Sequence, residues 1–217
     1  MTDPSLVRFQ KQDRVLVVHV DNPPVNALSP GVREGLLAAL DAAEADTGVG
    51  AVVILGAGRT FVAGADITEL ERLAWGELAT PPDLRPLLRR VEQSAKPVVM
   101  AIHGTALGGG LELAMAGHFR VAVADAKLGL PEVSLGIIPG AEGTQRLPRL
   151  AGVEKALTMV VSSRPISAAD AHAHGIIDAV VDDLLAGAVA FAQDVIARGT
   201  PVPRTSELRD KLGTPEI

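Results

Sequence analysis

The chain has 217 residues, a net charge of −6 and 47% hydrophobic residues, enough for one compact domain with a substantial core. The acidic balance and the 2% aromatic content argue against nucleic acid and anionic membrane surfaces as partners. The absence of cysteine excludes disulfides, cysteine-ligated metal centres and a cysteine nucleophile, and fits a reducing cytoplasm.

In chain order, residues 14–20 (RVLVVHV) are rich in β-branched side chains and predict a strand. Residues 6–10 pair with it as a hairpin. Ser29-Pro30 has the form of an N-cap followed by proline at the first helical position. Val32, Leu36, Leu40 and Ala43 recur at helical spacing, so a helix is expected over 30–46. The apolar run AVVIL at 51–55 suits a strand buried on both faces. A loop over 56–64 leads to Asp66 and Glu69, a capping-box-like pair opening a helix at Ile67.

Residues 74–86 read as a loop and 87–95 as a helix. A buried strand over 96–103 runs into Gly108-Gly109-Gly110 and a helix to Ala116. The weakly charged stretch 97–111 is shorter than the roughly 20 residues that span a bilayer, so no membrane segment is expected. Further on come a strand (118–124), an irregular stretch (129–139), helices over 142–150, 153–161 and 167–174, a strand (178–181) and a helix (183–197). This alternation implies an α/β fold with parallel strand pairs. The expected domain is 1–197. After it, 198–217 is rich in proline and glycine and reads as a linker or flexible tail.

Four features can carry chemistry. Three consecutive glycines between a strand and a helix either allow close packing or leave a backbone N–H facing a ligand oxygen at the positive end of a helix. Glu112 lies between Leu111 and Leu113, on the one wet face of a short helix or buried for a reason. Glu132 lies in an apolar irregular segment, as an exposed loop acid or as a second buried carboxyl. Two carboxyls in apolar surroundings suit the handling of one water, because burial raises one pKa and leaves the other group ionised. FVAGADI at 61–67 runs small residues into a helix start, as an ordinary loop with a cap or as the source of a second N–H donor. His19, His103, His118, His172 and His174 show no metal-ligand spacing, so no metal is expected. Dinucleotide, phosphate-loop and nucleophile-elbow motifs are missing.

FVAGADI (61–67), ALGGGLEL (106–113), GLPE (129–132) and GIIPGAEGTQRL (136–147) together, in order and spacing, resemble the enoyl-CoA hydratase/isomerase (crotonase) family. The resemblance runs from about residue 14 to 197. It implies a crotonase-like stack of ββα units and an acyl-CoA thioester substrate, with coenzyme A carried by the substrate and no separate cofactor. By this resemblance, Ala65 and Gly109 are the oxyanion N–H donors. Glu112 and Glu132 are the catalytic pair, and Ala63, Asp66 and Ile67 line the substrate pocket.

The implied reaction is hydration of trans-2-enoyl-CoA to 3-hydroxyacyl-CoA in fatty-acid β-oxidation. Δ3-Δ2 enoyl-CoA isomerisation and a non-catalytic acyl-CoA-binding fragment are the alternatives. LPEVSLG (130–136) and IIDAVV (176–181) look most like the hydratase half of bifunctional enzymes, whose other half is a 3-hydroxyacyl-CoA dehydrogenase. The resemblance also implies a homo-oligomer, trimer or hexamer, C-terminal helices that are shortened here, and association with such a dehydrogenase. One departure is Glu142, where hydratases usually carry glycine. It is expected to narrow the mouth of the acyl pocket or add charge there.

Overall fold

The computed structural model describes residues 6–64, 66, 69, 75 and 80–213. Strands Val7–Gln12 (β1) and Val15–Val20 (β2) form the expected antiparallel hairpin, turned at Asp13 with φ +53°. Ala51–Gly56 (β3), Val98–Ile102 (β5), Phe119–Val123 (β7) and Ala179–Val181 (β10) extend it into a six-stranded sheet, ordered β1-β2-β3-β5-β7-β10. Every pairing after the hairpin is parallel.

A second sheet, which the resemblance implies, is built of four short strands that the residue pattern alone did not mark. Val62–Ala63 (β4), Thr105–Leu107 (β6), Lys127–Gly129 (β8) and Ile166–Ser167 (β9) pair in that order. β4, β6 and β8 each follow a long strand of the first sheet, which gives the ββα grammar expected from the resemblance. With two or three residues each, they are too short to show a hydrophobic period.

The helices pack on both faces of the large sheet. Pro30–Ala45 (α1) buries Val32, Leu36, Ala39, Leu40 and Ala43 on one side. Ser29 holds its cap position without a side-chain cap bond. Leu84–Glu92 (α2) starts three residues earlier than expected, because the Asp83 carboxylate accepts the Leu84 N–H at 2.6 Å and Pro86 is tolerated in the first turn. Gly109–Ala116 (α3) is buried along its whole length. Leu184–Arg198 (α7) covers the opposite face, where Ala188, Val189, Ala192 and Val195 meet Val15, Val53, Val99 and Val121. β3 and β5 are therefore buried on both faces, as their unbroken apolar runs require.

Gly143–Ala151 (α4), Val153–Ser162 (α5) and Ala168–Ala173 (α6) complete the helices. The stretch after α7 differs from a free tail. It makes one 3-10 turn, Thr205–Glu207, with Thr205 buried. The Ser206 N–H donates to Glu92 Oε1 at 2.9 Å, and Lys211 Nζ donates to the Leu150 and His174 carbonyls. Residues 198–213 thus use polar contacts rather than a periodic apolar face, which is why composition alone read them as loose.

Candidate active site

The glycine run is needed for two different reasons. Gly108 has φ +51°, a region a side chain rarely adopts, and its N–H donates to the Gly129 carbonyl at 2.9 Å. Gly110 packs so close to β4 that a Cβ there would stand 2.0 Å from the Val62 carbonyl oxygen. Between them, Gly109 is the first residue of α3, so no carbonyl of that helix can satisfy its N–H. The packing reading therefore holds for this run, and the N–H of Gly109 lies at the start of the helix.

Glu112 sits in the first turn of α3 and is 2% exposed, so the wet-face reading does not hold. Its Oε1 accepts two backbone bonds, from the N–H groups of Ala141 and Gly143, each at 2.8 Å. Burial pushes its pKa up. The two amides, and behind them Arg146 and Arg85, work in the opposite direction without reversing it.

Glu132 opens the 3-10 turn Glu132–Leu135 and is 8% exposed, so it is not an exposed loop acid. Burial, with a further push from the charge of Glu112, raises its pKa to about 7. Its Oε2 is buried with no hydrogen-bond partner among the described residues. A Cβ on Gly108 would lie 3.1 Å from Glu132 Oε1 and 3.8 Å from the Gly64 Cα. Gly108 therefore joins the second carboxyl, the start of α3 and the 61–66 segment. Two buried carboxyls with raised pKa values, one proton-bearing near neutrality, can take a proton from one ligand atom and give one to another.

Ala63 ends β4, and its N–H donates to the Val25 carbonyl at 3.0 Å. Gly64 follows with φ +97° and accepts from the Leu28 N–H at 3.2 Å. Asp66 is half-buried. Ala65 and Ile67 lie outside the described residues.

Several supporting residues escaped the sequence reading. Asn26, 2% exposed, donates from Nδ2 to the carbonyls of Ala57, Thr60 and Phe61, and so fixes the approach to β4. Arg33, 3% exposed on α1, grips the Glu69 carboxylate at 2.7 and 2.9 Å and the Thr80 carbonyl at 2.8 Å. Glu69 also accepts the Thr80 N–H, so its carboxylate ties this loop to α1, a role the capping-box reading did not give it.

Arg146, 1% exposed, donates from Nη2 to Glu92 Oε2 at 2.9 Å. Burial works against the charge of Glu92. Arg146 and the Ser206 amide more than offset it, and hold that carboxyl below its usual range. Glu142, the departure noted in the sequence, pairs with Arg89 and Arg146. A polar residue flanked by helix-spaced leucines (Arg146 beside Leu147 and Leu150) was the available signal for this network.

Elsewhere, a hollow of about 490 Å³ between the β1–β2 hairpin and α7 is lined by Arg8, Phe9, Lys11, His19 and Leu185, and includes neither glutamate. Among the described residues, no group of three or more His, Asp or Glu side chains could hold a metal ion. No described helix is long and apolar enough to cross a membrane.

The chain is thus an α/β protein of ββα units, with a pair of buried glutamates near a helix that starts on glycine. The family described as enoyl-CoA hydratase/isomerase matches residues 10–205, and the chain belongs to it. It is 53% identical over 159 residues to a probable enoyl-CoA hydratase of Bacillus subtilis, a match covering 72% of this chain and 62% of that protein. It is 45% identical over 212 residues to the peroxisomal bifunctional enzyme of Danio rerio, covering 97% of this chain and 28% of the relative. The chain thus spans under two thirds of one relative and little over a quarter of the other. The crystal structure of enoyl-CoA hydratase from Bacillus anthracis superposes with a TM-score of 0.79 at 36% identity, covering 88% of this chain and 76% of that one.

Proposed function

We propose that this chain hydrates trans-2-enoyl-CoA to 3-hydroxyacyl-CoA in fatty-acid β-oxidation. The observation that carries the reading is the pair of buried glutamates, Glu112 and Glu132, electrostatically coupled beside the glycine run. Glu112 acts as base. Ala141 and Gly143 engage its Oε1, which leaves Oε2 to take a proton from water as the water oxygen bonds to C3. The electron pair of the C2=C3 bond moves toward the thioester. Charge on the carbonyl oxygen is met by the N–H groups of Gly109 and Ala65. Glu132, which carries a proton up to about pH 7, delivers it to C2. The two carboxyls titrate as a coupled unit.

Ala63, Asp66 and Ile67 are assigned to the substrate pocket by resemblance, and the reading needs no cofactor beyond the coenzyme A of the substrate. The presence of two buried carboxyls favours hydration over isomerisation, which needs only one. Absorbance at the conjugated-thioester band separates the readings. Hydration predicts a fall with crotonyl-CoA. A rise with 3-trans-enoyl-CoA and no change with crotonyl-CoA would mean an isomerase, and no change with either a binding domain.

Gly109→Pro tests the oxyanion donor. Proline is well accepted at the first helical position, so the fold should persist while the N–H is lost. Turnover should drop about 10²–10³-fold, read by steady-state kinetics with circular dichroism as the folding check. Full activity in a folded variant would reduce the run to a packing device.

A pH prediction follows from Glu132. kcat/KM should fall as pH rises through about 7, where the acid loses its proton. The same raised pKa has a stability cost. The folded chain holds a proton that the unfolded chain releases at ordinary carboxyl pH, so stability declines as pH rises from there to about 7 and stays reduced above it. Glu132→Gln removes this cost. It should melt higher than wild type at pH 8, by roughly 3 kcal/mol at most, and not at pH 4. Equal melting at both pH values would contradict a buried, pKa-shifted Glu132.

A homo-oligomer, trimer or hexamer, and association with a 3-hydroxyacyl-CoA dehydrogenase belong to the same reading. Leu135 and Ile138, with the Val153, Leu157 and Val161 stripe of α5, are exposed and support self-association. Light scattering at micromolar concentration should give a multiple of the chain mass, and a clean monomer would count against it. The cytoplasm is the compartment proposed, with cell fractionation as its test.

A further inference from the structure

Glu142 is the N-cap of α4 with φ +72° and ψ +15°, the left-handed region, where a residue with a Cβ pays on the order of 1 kcal/mol. The residues on either side of it, Ala141 and Gly143, both donate to the same atom, Glu112 Oε1. A left-handed residue between two amides turns them toward a common point, as in backbone anion nests. The left-handed turn at 142 is thus what lets this loop grip the carboxylate of Glu112.

The side chain of Glu142 is itself clamped. Arg89 Nη2 donates to its Oε1 at 3.3 Å. Arg146 Nη1 lies 2.9 Å from its Oε2, a charge contact off hydrogen-bond alignment. Arg146 is almost wholly buried and also pairs with Glu92.

We propose that Glu142 tunes Glu112: set between the two amides that grip Glu112 and clamped by Arg89 and Arg146, its carboxylate balances arginine charge that would otherwise make Glu112 a weaker base. This rests on the reading of Glu112 as the base. Among the described residues, the charged groups facing Glu112 include Arg146 from α4, Arg85 from α2 and Glu132 from the 3-10 turn. Arg85 also donates to the Gly140 carbonyl at 2.8 Å, on the same loop. The groups facing Glu142 are Arg89 of α2 and Arg146 of its own helix. Without the Glu142 carboxylate, the cations beside the loop outweigh Glu92, and the ionised form of Glu112 gains.

Two variants separate charge from shape. Glu142→Gly accepts the left-handed conformation freely and removes the carboxylate. Glu142→Gln keeps the length and removes the charge. The readout is the carboxyl titration of Glu112 by NMR, in protein labelled with ¹³C at the glutamate carboxyls, with the resonance assigned by its loss in Glu112→Gln. The midpoint should move to lower pH in both variants relative to wild type. A midpoint unchanged or raised in both overturns the proposal. The titration needs no turnover, so a wild-type chain that fails to hydrate crotonyl-CoA would refute the functional reading separately.

Discussion

Glu112→Gln and Glu132→Gln should each lower crotonyl-CoA hydration by about 10²–10⁴-fold, the range typical of a lost general acid or base. Each substitution keeps the side-chain volume at a buried position, so folding should survive. The losses should fall mainly on kcat, because neither carboxyl is assigned to holding the coenzyme A moiety. The double variant should be little worse than the worse single, since both groups act on one water and one enolate. Steady-state kinetics on the three variants checks this, and near-wild-type hydration by either single variant would remove that residue from the mechanism.

Glu92→Ala is expected to be the most destabilising of the substitutions considered. It leaves Arg146, 1% exposed, without the partner that takes its Nη2, and frees the Ser206 amide that docks the 205–207 turn. Breaking a buried pair on one side costs about 3–5 kcal/mol. At roughly 2–4 °C per kcal/mol for a chain of this size, the melting temperature should fall by about 6–20 °C. Replacing both members together with apolar residues, Glu92→Met with Arg146→Leu, should recover most of the loss, because no charge is then left buried alone. Thermal melts of the single and double variants decide it. A single variant within 1 °C of wild type would mean that Glu142 alone satisfies Arg146.

Periodicity made the large sheet and the main helices legible. The β-branched run of β2, the unbroken apolar run of β3 and the four-residue spacing of Val32, Leu36 and Leu40 each follow from one dominant physical demand, burial. Glu112 was legible because a charge between two leucines on a short helix is costly unless it is used. The strands of the second sheet were not legible in the residue pattern, since β4, β6, β8 and β9 are held by partners far along the chain rather than by their own composition. The same applies to Arg146 and Glu92, which are 54 positions apart and meet only after α2 and α4 pack against α3. Glu142 shows the limit most clearly. Its identity marked it as unusual, but the left-handed backbone that gives it a task is a property of the folded turn.

The central claim is that this chain adds water across the double bond of an enoyl thioester. The most direct measurement is mass spectrometry of the CoA product after incubating crotonyl-CoA with the wild-type protein in ¹⁸O-water. The expected product is 3-hydroxybutyryl-CoA carrying one ¹⁸O atom at C3, formed far faster than in a Glu112→Gln, Glu132→Gln control. Crotonyl-CoA recovered unchanged, or ¹⁸O incorporation equal in wild type and control, would contradict it.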